Sequence, residues 1–453
     1  MIISKTSFVL LKMPQNLYKK ILIALLLIVG VLGIIRTNTI QRSAGSGDFR
    51  NRVQGARLMK DGIIPYYYHW HPGDPVRYVS EHDIDTSHRR RVSMCTSSPL
   101  FHRVLGPFAD YNEPVIDRGI FILFYAFLVI MALLTWYKSK NLLLTLLFFV
   151  PFLFSDGWCH HITLVQNYFL FGFLFFLVSF TILKKHYFFA GLLFALLFLF
   201  RLNSIVFAIP FILLFRQYKH FILGLASGLL IYVSILAFFP FERKNWTEYF
   251  SALQEHTKVH LGQLPHEQRY YNIDSLLPFP FEGENFAAME IKRQHTPSTW
   301  VNPEASNFSL IYKFILKRQP PVLLLNGLLG FCYLSVIAAF FFVKRKQKDY
   351  NISIEQVLLT GLLFYGLSCF FSPIISNPYQ MPQWMTVAAL IIIFNRKIPR
   401  WLIVFFFLGI FVDLVYFPNI RGKHAISDVI FMFSTFLIII KSDWNKNIDS
   451  NLR

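Results

Sequence analysis

The sequence predicts an all-α, polytopic membrane protein of about twelve helices, and three observations carry that expectation. Its 453 residues are 55% hydrophobic, with a mean hydropathy of +0.46, which is too apolar for an ordinary water-soluble fold. The apolar residues stand in uninterrupted runs without alternation, which excludes a barrel, and charged residues collect between the runs. Each run approaches the ~20 residues that cross about 30 Å of hydrocarbon. Every backbone amide there must find its partner within its own segment, so the runs read as helices.

In chain order the runs cover residues 21–35, 119–137, 142–154, 163–183, 187–200, 203–215, 221–239, 321–343, 354–371, 381–394, 401–416 and 429–440. Lys and Arg crowd alternate connections, at 138–140, 184–186, 216–220, 344–348, 395–400 and after 441, which makes those connections cytoplasmic. The stretch 187–215 has basic clusters at both ends, Lys184 with Lys185 and Arg216 with Lys219, so the chain must return to the side it left. The sequence therefore predicts two short helices joined at Arg201, with Arg201 on the outer rim. The basic residues before the first run resemble a signal peptide, but no small-residue cleavage site follows and the segment is expected to stay as an anchor.

The polar sequence then falls into two large outer loops, 36–118 and 240–320, on one membrane domain spanning 1–453. Loops this long are expected to hold helices lying along the membrane. One is predicted over 48–60, with Asp48 as N-cap and Gly62 and Pro65 ending it. A net charge of +19 suggests nucleic acid only until the topology-setting residues are subtracted, and nucleic acid is not expected as a partner. What remains is arginine in the first outer loop: Arg42, Arg50, Arg52, Arg57, Arg77, Arg89, Arg90, Arg91 and Arg103. An anionic ligand or lipid headgroup is the natural partner for such a set. The four cysteines, Cys95, Cys159, Cys332 and Cys369, show neither metal spacing nor a disulfide framework. Glu81, Asp83 and Asp85 with His82 and His88 have no spacing that fixes a metal geometry, so ion pairs to the neighbouring arginines are the favoured reading and no cofactor is expected.

Several short elements carry more specific information. Asp48-Phe49 follows the first run, then come Ala56, Gly62, Pro65 and Tyr66; Ser98-Pro99-Leu100-Phe101 precedes the second run. Gln166-Asn167, Ala190-Gly191, Phe200-Arg201-Leu202 and Ser372-Pro373-Ile374 follow in order. In this order they resemble the GT-C superfamily of integral-membrane glycosyltransferases. The nearest likeness is to the polyprenol-phosphate-mannose-dependent mannosyltransferase-like family, glycosyltransferase family 87. Arg201-Leu202 stands where that family has Lys-Pro, and Val165 where it has Gly.

The resemblance implies a GT-C-type bundle that moves a hexose, such as mannose, from a polyprenyl-phosphate donor to a glycan or glycolipid acceptor at the outer face, with membrane lipid around it. Asp48 is then the base that takes the acceptor proton, where an isolated Asp would be read as a helix cap. Arg201 would hold the donor phosphate, against the plain alternative of an arginine snorkelling to lipid. Arg50, Tyr66, Gln166, Asn167, His160 and His161 are substrate-binding candidates; Gln166 and Asn167 also suit a helix cap, and the histidines also suit an interface beside Trp158. Aromatic residues of the second loop, Trp246, Tyr249 and Trp300 among them, read as an interfacial belt. Two rivals remain: an O-antigen-type polysaccharide polymerase using Arg243, Arg269 and Arg293, and a lipid-carrier transporter, which the scarcity of charge within the spans disfavours. A bacterial inner membrane is the expected location; an endoplasmic-reticulum location would make Asn245-Trp246-Thr247 and Asn307-Phe308-Ser309 glycosylation sequons.

Overall fold

The computed structural model describes residues 15–44, 49–68, 70, 73–78, 95–215, 218–260, 307–316, 320–346, 352–372, 380–415 and 423–444. Among these residues the regular structure is entirely helical. The first span is α1 (Gln15–Ala44), followed by α2 (Phe49–Lys60) and α3 (Pro99–Leu105) in the first large loop. Then come α4 (Glu113–Ser139), α5 (Leu142–Phe152), α6 (Asp156–Leu164), α7 (Tyr168–Leu183) and α8 (Tyr187–Phe200). A 3-10 helix (Leu202–Ala208) runs into the short α9 (Ile209–Leu214), and α10 (Tyr218–Phe238) leads to α11 (Pro240–His260). The chain finishes with α12 (Phe308–Leu316), α13 (Val322–Lys346), α14 (Ile354–Phe370), α15 (Met381–Ile393), α16 (Arg400–Leu414) and α17 (Lys423–Lys441).

All twelve apolar runs are helical, so the protein is an all-α polytopic membrane protein, but their lengths divide into two groups. Five described helices are long and apolar enough to cross a bilayer, at Leu17–Ile40, Glu113–Ser139, Tyr218–Phe238, Val322–Val343 and Lys423–Lys441; counting the bent pair α5 and α6 as one makes six. Of the expected bundle of about twelve apolar helices, five or six therefore have full crossing length and the others are shorter. The remaining apolar helices are shorter, and α14 and α15 are buried on almost every side. Protein surrounds these helices, so short elements and breaks are tolerated where neighbouring side chains replace lipid and satisfy the exposed backbone groups. The long helices α1 and α13 carry the opposite character, with apolar side chains exposed along most of their length.

The run at 163–183 is not one helix. Val165 takes a left-handed conformation (φ 47°) at the C-cap of α6, and Gln166 and Asn167 bridge to α7. Ser155 starts α6 by accepting from the Trp158 amide. At the other predicted break, α8 ends at Arg201, whose extended backbone (φ −149°, ψ 96°) turns the chain into the 3-10 helix.

Helices α8 and α10 approach through small residues. A Cβ on Gly191 would lie 2.1 Å from the Phe221 carbonyl oxygen, and one on Gly224 would lie 2.0 Å from that of Phe188. Backbone is the obstacle in both directions, so no rotamer change relieves it. Gly224→Val is expected to cost about 1–3 kcal/mol or more and to lower the thermal midpoint in detergent. Gly327→Ala on α13, where a Cβ would meet nothing within 4 Å, should be neutral. Equal midpoints for the two variants would contradict the close approach.

Candidate active site

Arg201 stands at the break between α8 and the 3-10 helix, where no helical register constrains its side chain. The guanidinium lies over the Tyr168 ring at 4.2 Å from its centroid and 5.6 Å from that of Phe171, both on the first turn of α7. Tyr365 and Cys369 of α14 are its other electrostatic neighbours. Aromatic faces attract the cation, yet they supply no countercharge. Among the described residues no carboxylate pairs with Arg201, and its Nε is buried without a hydrogen-bond partner. Arg201 is thus an arginine in an aromatic cage with its Nε donor left open.

The α6–α7 break connects this cage to α2. Arg52 donates from Nη2 to Gln166 Oε1 at 2.7 Å, and its Nη1 lies 3.5 Å from the Val165 carbonyl oxygen. Gln166 is buried, and two residues later comes the ring beneath Arg201. The segment that follows Asp48 is thus tied by hydrogen bond to the floor of the cage. Asp48 itself lies outside the described residues.

Helix α2 is held from its other side by close packing and by a buried arginine. A Cβ on Gly55 would come 2.4 Å from His102 Cε1 of α3, so only glycine allows the two helices to meet there. Arg57 donates to three backbone carbonyls, Ala109 (2.9 Å), Arg77 (3.1 Å) and Tyr111 (3.0 Å). Arg77 pairs with Asp61 and Asp110, and Arg103 with Glu242 of α11. These three arginines therefore serve the protein itself, which corrects the expectation that the first-loop set as a whole awaits an anion. Arg42, Arg89, Arg90 and Arg91 lie outside the described residues or their described side chains.

Of the other candidates, Tyr66 is fully buried, donates to the Ser97 carbonyl oxygen at 2.8 Å and packs against Tyr249 of α11. It belongs to a cluster with Trp246 and Tyr249 against which Leu202, the residue after Arg201, packs. Asn167 is the N-cap of α7 but makes no side-chain cap hydrogen bond. His161 is buried with its ring centroid 6.2 Å from that of Tyr168, while the His160 side chain lies outside the description. Arg50 is half-buried on the first turn of α2. The acidic group at 81–85 falls outside the described residues; within them no cluster of three or more His, Cys, Asp or Glu is arranged to hold a metal. Arg243, invoked for a polymerase, is exposed on α11, and Arg269 and Arg293 are not described. The amide groups of Asn245 and Asn307 are buried and donate to the Phe241 and Ser372 carbonyl oxygens, so neither sequon presents an accessible asparagine.

A second charged cluster was not anticipated. His424 Nδ1 lies 2.6 Å from Asp413 Oδ1, Lys423 pairs with Asp156, and Asp428 accepts from Trp384 Nε1 at 2.7 Å. It fastens the start of α6, the helix that delivers Gln166, to α16 and α17. Charge hidden at the ends of apolar runs has no periodicity to announce it; Asp413 was the one acidic residue inside a predicted run near the C-terminus and was the available signal.

With this geometry in hand, comparison with known proteins is informative in one place. The model of glycosyltransferase family 87 matches residues 99–282, from α3 past the end of α11. Over these residues the chain matches glycosyltransferase family 87. The match indicates a glycosyltransferase, and it contains Arg201, Gln166, Asn167, His160 and His161, whereas Asp48, Arg50 and Tyr66 precede it. No curated protein and no solved structure matches the chain.

Burial makes the α2–α3 contact sensitive to acid. Removal from water, offset in part by the 3.2 Å contact of Nδ1 with the Arg52 carbonyl oxygen, lowers the His102 pKa from 6.5 to about 4. A depressed folded-state value means that the unfolded chain takes the proton first. The stability held by neutral His102 is present above about pH 6.5 and is lost as pH falls toward 4, by about 3 kcal/mol in all. Thermal midpoints at pH 7 and 4.5 should diverge more for the wild type than for His102→Asn. Equal acid losses would assign the effect to another group.

Proposed function

We propose that this glycosyltransferase moves a hexose, mannose by its family resemblance, from a polyprenyl-phosphate donor to a glycan or glycolipid acceptor in a single inverting displacement. The observation that carries the reading is Arg201: a buried-side cation over Tyr168, near the membrane boundary inferred from charge parity, without a carboxylate partner among the described residues. A phosphate monoanion or diester satisfies it by charge and by the paired donors of the guanidinium. A lipid-borne donor is favoured over a nucleotide sugar because the cage is walled by apolar helices.

In this mechanism the acceptor hydroxyl attacks the anomeric carbon while the bond from that carbon to the phosphate oxygen breaks. Asp48 takes the acceptor proton, and the polyprenyl phosphate leaves with its negative charge held by Arg201. Arg52, through Gln166, ties α2, the helix that follows Asp48 in sequence, to the break that precedes Tyr168. We assign this chemistry to the non-cytoplasmic side of a bacterial inner membrane, and the alternation of basic connections supports that side.

Purified protein in proteoliposomes should transfer radiolabelled mannose from polyprenyl-phosphate-mannose, and Asp48→Asn should lower that rate by about 10²–10⁴-fold. Transfer by the wild type should survive a chelator. Equal rates for the two proteins would remove Asp48 from the reaction, and a chelator-sensitive wild type would require a metal in the mechanism.

A further inference from the structure

Two residues after Arg201, on the 3-10 helix, Asn203 carries an unmatched acceptor and shares a neighbour with Arg201. Its Nδ2 faces Cys369 Sγ at 4.0 Å, and Cys369 is also a side-chain neighbour of Arg201. Both side chains therefore converge on one thiol of α14. Asn203 Oδ1 is buried and has no hydrogen-bond partner, just as Arg201 Nε is buried and has none. Leaving a buried amide oxygen unpaired is costly, and proteins rarely tolerate it without a ligand to complete the bond. A donor and an acceptor left open on two side chains that meet at one thiol describe a ligand that would complete both: an anionic or neutral oxygen for the guanidinium and a hydroxyl hydrogen for the amide. A phosphate diester alone has no hydrogen to give. A lipid tail has neither.

We infer that Asn203 is a sugar-reading residue, accepting a hydrogen bond from a ring hydroxyl of the glycosyl phosphate whose phosphate Arg201 holds. This rests on the phosphate-binding reading of Arg201 and adds to it a means of distinguishing the loaded carrier from the spent one. After transfer the carrier keeps its phosphate but loses the hydroxyl, so the contact to Asn203 is lost and release of the product carrier is favoured. A site that pairs a substrate hydroxyl discriminates strongly against a ligand lacking it, because its own polar group is then stranded.

The test is binding of polyprenyl-phosphate-mannose and of polyprenyl phosphate, each to the full-length protein in nanodiscs, for wild type, Asn203→Leu, Asn203→Ala and Arg201→Ala. Asn203→Leu keeps the volume and removes the acceptor; it should weaken the mannosylated carrier about tenfold and leave the bare phosphate unchanged. Asn203→Ala should do the same. Weakening of both carriers by both Asn203 variants, or of neither, overturns the assignment. Arg201→Ala should weaken both carriers. Should it weaken neither while the Asn203 variants keep their selective loss, the phosphate role of Arg201 falls and the sugar contact stands. A wild type that binds neither carrier overturns both.

Discussion

The candidate site is organised around a cation, Arg201, that no carboxylate among the described residues neutralises. Arg201 sits where α8 stops and a 3-10 helix starts, with aromatic rings below it and a thiol and tyrosine beside it. In an environment of low dielectric, the cost of holding a charge is large, and aromatic faces recover only part of it. Elsewhere the chain meets comparable costs internally, with Asp156 for Lys423 and Glu355 for Lys397. Arg201 is treated differently: among the described residues no carboxylate pairs with it, and the proposed phosphate role rests on that difference.

Around that cation the scaffold consists of breaks rather than helices. The α6–α7 break supplies Gln166, the α8 break supplies Arg201, and α2 supplies Arg52, which bonds to the first of them. Each break is affordable because long helices face outward and short ones lie within, where side chains rather than lipid meet the open backbone groups. Arg57, His102 and the Asp413–His424 pair then fix the elements that carry the breaks. The two large loops are likewise joined, through Arg103 with Glu242 and through the Tyr67 hydroxyl, which donates to Glu255 at 3.0 Å.

Much of this was legible in the sequence. Hydrophobic runs located most of the apolar helices, though not the short α12, charge parity found the break at Arg201, and the helix expected over 48–60 coincides with α2 to within a residue. The break at Val165 was not legible, because a β-branched residue in a left-handed conformation inside an apolar run has no compositional mark. Helix length within the bundle was hidden too, since hydropathy does not report whether a neighbour is lipid or protein. Arg57 illustrates a third limit. Its partners are backbone carbonyls from three separate segments, which no side-chain pattern encodes, so an arginine that staples the loop looked like one that awaits a phosphate. The helix break at Arg201 was expected, but for want of a fold its aromatic cage and its neighbour Asn203 went unseen.

The most direct test is the dependence of transfer on the charge at position 201. In steady-state assays with polyprenyl-phosphate-mannose, Arg201→Met, which keeps much of the length and loses the charge, should lower kcat/KM by about 10²–10³-fold. Arg201→Lys should recover part of that loss, because a point charge replaces the guanidinium fork. Near-wild-type turnover by Arg201→Met would show that the unpaired cation does not hold the leaving phosphate and would contradict the account at its centre.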